Sequence, residues 1–239
     1  MRRVSGTMAT ASLLVFLGCS RTYDYRIERA VASLKYEKRL NDKLMPAATK
    51  GRFHELLIYL RPPKDLKASQ EFHLPSPEPG RFDLEQSFQG SAKQSLHVLA
   101  RVKRPKSPKK KETSKKAAAR GDFGADVLAV LNSAFKPAEE LVISKFKSVE
   151  KKRAGSARGN EFRYSIILSN NKTVQVYFYK KEPYDVVLVF EYPTSEHGGN
   201  LQSKINLCLE SFAVGEKARQ YFSGGGAEES TGGSTPATF

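Results

Sequence analysis

Few side chains in this chain combine the type and the spacing that chemistry needs. His54, His73, His97 and His197 are widely separated, Cys208 stands far from Cys19, and no H-E-x-x-H or C-x-x-C occurs, so no resident metal or cofactor is expected. Ser195-Glu196-His197 sets a hydroxyl, a carboxylate and an imidazole side by side. Neighbours on one loop cannot aim a nucleophile at its base without a third group placed by the fold, and the triplet reads as a polar turn. Gly224-Gly225-Gly226 has no strand before it and no helix after it, the context a phosphate cradle requires. Glu139-Glu140 follows Pro137, where acids favour a helix start through the macrodipole. The expectation is a protein without a catalytic residue.

Electrostatic binding is the chemistry that remains. The formal charge is +15, and residues 101–120 hold ten Lys or Arg against one Glu, so most of the excess sits in one place. Pro105, Pro108 and the absence of aromatic residues make residues 103–121 a flexible basic loop. Its Lys103, Arg104, Lys106, Lys109, Lys110, Lys111, Lys115, Lys116 and Arg120 are the candidate contacts to an anionic surface. Nucleic acid asks for stacking aromatics or a shaped groove as well, which argues against it as a partner. Anionic lipid headgroups or acidic wall polymers fit better, at roughly 1 kcal/mol per basic residue near an anionic membrane. A solubilising loop without a partner is the plainer alternative.

The start of the chain says where such a loop would act. Arg2 and Arg3 precede an apolar run from Met8 to Leu17, followed by Gly18, Cys19, Ser20 and Arg21. Positive residues, a short apolar stretch and a small residue make a secretory signal, too short for the roughly 20 apolar residues of a membrane span. Leu13-Leu14-Val15-Phe16-Leu17-Gly18-Cys19 resembles the lipobox of bacterial lipoprotein precursors. The resemblance implies diacylation of the Cys19 thiol and cleavage between Gly18 and Cys19, hence a lipid-anchored envelope protein facing the periplasm or exterior. Residues 1–18 would then be the signal and 19–50 an anchored helical stalk. Whether the protein sits in the inner or the outer membrane stays open. With Cys19 acylated, Cys208 has no partner, and it falls on the apolar face of a helix with Leu201, Ile205, Leu209 and Phe212.

Local periodicity supplies the elements. Helical spacing covers residues 24–44, with Pro46 ending it, and residues 122–135 and 201–213, the last with Asn200 as N-cap. Strands are expected at 53–60, 95–102, 145–152, 162–168, 173–180 and 184–192, with residues 66–90 as a surface connection. Asn170-Asn171 suits a hairpin turn. The run Val186 to Phe190 is continuously apolar, so that strand belongs at the centre of the sheet with helices over both faces. Tyr164, Tyr177, Tyr179, Tyr184 and Tyr192 fit cross-strand packing positions. The expectation is an α+β domain over residues 51–222, a mostly antiparallel sheet in a three-layer sandwich, with a disordered tail at 223–239. In element order this region resembles the Mog1/PsbP-like fold, a resemblance of pattern that implies no activity and no residue roles. The function expected is a lipid-anchored envelope protein with a non-catalytic binding or scaffold domain. An envelope enzyme with a dispersed site and a secreted polyanion-binding or nucleic-acid-binding protein are the alternatives.

Overall fold

A computed structural model of the chain describes residues 9–48, 50–75, 80–91, 93–103, 121–154, 156, 158–197 and 199–222. Helix α1 spans Ala9–Lys43, and a short α2 at Gly51–Glu55 leads into β1, Ile58–Tyr59. Strands β2 (Lys67–Ala68), β3 (Leu84–Gln89) and β4 (Ser95–Val102) follow, then α3, Phe123–Phe135. The second half runs β5 (Lys147–Lys151), β6 (Asn160–Ser169), β7 (Lys172–Lys181) and β8 (Tyr184–Pro193), then α4 (Gly199–Ser211), β9 (Ala213–Val214) and α5 (Glu216–Phe222). Seven strands form one antiparallel sheet in the order β2-β3-β4-β8-β7-β6-β5, and β1 pairs with β9 in a two-stranded sheet.

The fold is α+β, with helices on both faces of that sheet. On one face Leu96, Val98, Ala100, Val186 and Leu188 pack with Ile205, Cys208 and Leu209 of α4 and with Tyr36, Leu40 and Leu44. On the other Leu99, Val174, Val176, Val187 and Val189 pack with Val127, Val130 and Leu131 of α3. Strand β8 lies in the middle of the order and is covered on both sides, which is why its sequence is continuously apolar instead of alternating. Asn170 and Asn171 both take positive φ, 48° and 61°, the backbone a two-residue hairpin between right-twisted strands demands. Asp122 caps α3 by accepting from the Ala125 N–H.

Two expectations at the start of the domain need correction. Residues 53–60 are not one strand. Helix α2 takes in Phe53, Leu57 turns the chain at φ 55°, and only Ile58 and Tyr59 pair, with Val214 and Ala213. Nor is 66–90 a plain connection. It contains β2 and β3, and the β3 run Leu84-Glu85-Gln86-Ser87-Phe88 looks polar in sequence because Ser87 faces a polar cluster within the fold. The stretch expected as a stalk also joins the core, since Tyr36, Leu40 and Leu44 are buried while Tyr23, Ile27, Val31 and Leu34 are exposed.

Leu40→Ala should therefore cost about 2–5 kcal/mol of stability, the price of a core cavity, and Leu34→Ala under about 0.5 kcal/mol. Urea unfolding midpoints of the two variants check the difference, and equal midpoints would detach α1 from the core.

Candidate functional site

Gly18 and Cys19 lie within the span of α1, and their side chains are outside the described residues. Of the basic segment Lys103 is described. Arg104, Lys106, Lys109, Lys110, Lys111, Lys115, Lys116 and Arg120 lie outside the described residues, as do Gly224-Gly225-Gly226 and the expected disordered tail.

Both ends of that segment are held at one place. Arg101, buried on β4, donates from Nη1 to the Gly121 carbonyl at 2.8 Å and pairs through Nη2 with Asp126 at 2.6 Å. Asp126 also takes Arg81 at 2.5 Å, and the Arg101 guanidinium lies over the Phe82 and Phe123 rings at 5.9 and 5.5 Å. The Lys103 N–H donates to the Pro183 carbonyl at 2.9 Å, and its ammonium stands 3.9 Å from both Asp185 and Glu182. In sequence Arg101 counts with the basic run. The fold removes it from solvent and makes it the clasp that closes the run.

A polar pocket of about 640 Å³ lies at the other end of α3, where Ser133, Ala134 and Phe135 meet the ends of β4, β7 and β8. His97 and Glu191 of its lining belong to a row across three strands, which Ser87 completes from behind. Ser87 on β3 sits opposite His97 on β4, and Glu191 on β8 is opposite Ser95, two residues along the same face. Ser87 Oγ is 2.8 Å from His97 Nδ1 and accepts the His73 N–H at 3.1 Å. Glu191 Oε2 lies 3.7 Å from His97 Nε2, too far for a hydrogen bond, and its other oxygen takes the Lys172 ammonium. A carboxylate facing Nε2 favours the tautomer with the proton on that nitrogen, so Ser87 gives its own proton to Nδ1. Nε2 is buried and has no hydrogen-bond partner. Lys93, at φ 55° on the rim, is exposed and forms no ion pair among the described residues.

Burial works against the Glu191 charge, but the His97 imidazole and the Lys172 ammonium outweigh it and hold the carboxyl below the usual carboxylate range. Nothing in the sequence marks this row. Ser87, His97 and Glu191 are brought together by strand register, and the local signal was a histidine inside the apolar run of β4.

The triplet considered in the sequence comes apart. His197 Nδ1 is 2.9 Å from the Tyr192 hydroxyl and the two rings stack, Glu196 accepts from Gln94, and Ser195 is exposed. His54 meets the Tyr59 hydroxyl at 3.2 Å and His73 the Ser69 hydroxyl at 2.8 Å. Cys208 is buried, which pushes its thiol well above the ordinary range. Tyr164 stacks on Tyr177 across β6 and β7 at 5.7 Å, and Tyr177 and Tyr179 are buried in the core. No helix among the described residues is long and apolar enough to cross a membrane.

No family model matches the chain, and no curated protein does. Among solved structures, one from Bacteroides thetaiotaomicron is similar over 72% of this chain and 49% of its own, at 7% identity and a TM-score of 0.41. The chain thus spans about half the length of that protein. The solution structure of cyanobacterial PsbP (CyanoP) from Synechocystis is similar over 72% of this chain and 93% of its own, at 11% identity and a TM-score of 0.41.

The depressed Glu191 carboxyl fixes the sign of a pH effect. Its charged form stabilises the fold at pH values above the unfolded carboxylate value of about 4.3, and that contribution is lost as pH falls through the lower folded value. Glu191→Gln should lose less stability than the parent between pH 5 and the acid limit, in urea titrations at a series of pH values, and Lys172→Ala, which raises the folded Glu191 value toward the unfolded one, should also lose less. Parallel curves for all three proteins would remove the Glu191 pair from the acid response. Asp126→Ala, which leaves the buried Arg101 without its carboxylate, should cost about 3–5 kcal/mol in the same measurement.

Proposed function

We propose that the chain is a lipid-anchored protein of the cell envelope whose α+β domain binds its partner without transforming it. The observation that carries binding over catalysis is the state of Ser87. It is the hydroxyl nearest an imidazole and a carboxylate, yet it is fully buried and holds both the His73 N–H and His97 Nδ1. A nucleophile must reach its substrate. This one is committed to holding a ring in place, and the groups around it are organised as fixed donors and acceptors.

Anchoring through Cys19 rests on the Gly18-Cys19 pattern after the apolar run. Helix α1 passes through that position and continues into the buried turns at Tyr36 and Leu40, so about 25 Å of helix separates the acylated residue from the core at 1.5 Å per residue. Two or three acyl chains would make attachment permanent, at about 0.8 kcal/mol per buried methylene. The basic segment, whose ends Arg101 and Lys103 hold beside Gly121 and Pro183, would offer its charge to anionic headgroups or acidic wall polymers.

Labelled palmitate should be incorporated by the expressed chain and not by Cys19→Ala, and equal labelling of both would end the anchoring proposal. Vesicles rich in anionic lipid should bind the delipidated protein at low salt and release it at high salt, and deletion of residues 103–120 should abolish the binding. One observation favours an enzyme as the second reading, the alignment of Ser87, His97 and Glu191. Turnover of an activated ester that disappears in Ser87→Ala would establish it.

A further inference from the structure

The His97 imidazole has a donor that the domain leaves unanswered. In the tautomer that the neighbouring carboxylate favours, the proton is on Nε2, which is buried and has no hydrogen-bond partner, while Glu191 Oε2 lies 3.7 Å away with spare acceptor capacity. One hydroxyl satisfies both groups. It accepts from Nε2–H and donates to Oε2 through two contacts of about 2.8 Å, with the oxygen to one side of the line joining the two atoms, once ligand entry opens Nε2, which is closed to solvent in this structure.

Two cations stand over the same pocket. Lys93 is exposed and makes no ion pair among the described residues, and Lys172, also exposed, is held only by Glu191. Lys172 holds Glu191 through Oε1 and leaves Oε2 open, so an incoming anion can share the Lys172 ammonium while a hydroxyl donates to Oε2. The polar lining also includes His73, Gln89, Ser95, Ser133 and Asn170, side chains able to donate and accept. At about 640 Å³ the pocket is of the size that small ligands occupy.

We propose that this pocket binds an acidic sugar, a ring of neighbouring hydroxyls bearing one carboxylate, with the carboxylate on Lys93 and Lys172 and a hydroxyl bridging His97 Nε2 and Glu191 Oε2. The proposal rests on the reading that the domain binds and does not catalyse. Carboxylate and hydroxyls act together. An anion without hydroxyls leaves Nε2 unanswered, and a neutral sugar leaves Lys93 without a counter-charge.

Calorimetric titration of the full chain with galacturonate, galactose and acetate tests it. Galacturonate should bind saturably, with galactose and acetate each at least tenfold weaker. Lys93→Ala and Lys172→Ala, both at exposed positions, should each weaken galacturonate at least threefold with unchanged circular dichroism. In protein labelled with nitrogen-15 at histidine, the His97 Nε2 resonance should move with galacturonate and stay put with acetate. Equal affinity for acetate, indifference to both lysine substitutions, a static His97 resonance or no binding at all would overturn the proposal. The variant lacking residues 103–120 should bind galacturonate as the parent does, and loss of binding there would place the ligand on the basic segment instead. Release of product from an aryl galacturonide, with His97 still responding to galacturonate, would overturn the non-catalytic reading and leave the ligand class standing.

Discussion

Burial of β8 on both faces is the constraint from which the architecture follows. Val186, Val187, Leu188 and Val189 are inaccessible to solvent, alternate residues facing α3 on one side and α1 with α4 on the other. An isolated sheet would leave one of these faces wet. Two helical layers are the response, and they fix where polar groups can survive. A charged or hydrogen-bonding side chain on an inner face must lie near an end of the covering helix or be fully partnered.

Strand β4 displays that rule. Its His97, Leu99 and Arg101 point to the same face, under α3. Leu99, in the middle, is sealed by the helix. Arg101 meets Asp126 in the first turn of α3, and His97 meets Ser87 and Glu191 beside its last turn. Helix α3 thus separates two polar clusters, one that closes the basic segment and one that lines a pocket. The first is saturated, with Asp126 shared between two guanidiniums. The second keeps an open donor.

Helix α1 divides in a similar way. Its last turns contribute Tyr36, Leu40 and Leu44 to the core, and the Arg61 side chain reaches Asn41 at 2.7 Å and the Met45 carbonyl at 3.0 Å. Its earlier turns expose Tyr23, Ile27, Val31 and Leu34. One continuous helix therefore joins the segment expected to carry the anchor to the sheet.

Where a pattern is local, the sequence determined it. The strand run from Phe162 to Leu168, the Asn170-Asn171 turn, the helix opening at Asp122 and the apolar run of β8 each depend on neighbours within a few residues and were legible, although Ile166 and Leu168 of that run are exposed and Ile167 is buried. The short strands β1 and β2 were not, since two residues carry no period, and β3 was hidden because Gln86 and Ser87 broke its apolar pattern. The charge of the basic segment was plain, but the burial of Arg101 within it was not. Tertiary structure alone decided the two polar clusters, because hydrogen-bond register across β3, β4 and β8 sets Ser87 against His97 and Glu191, and α3 packing sets Arg101 against Asp126. Proximity between residues ten to nearly a hundred positions apart is created by strand pairing, and composition holds no record of it.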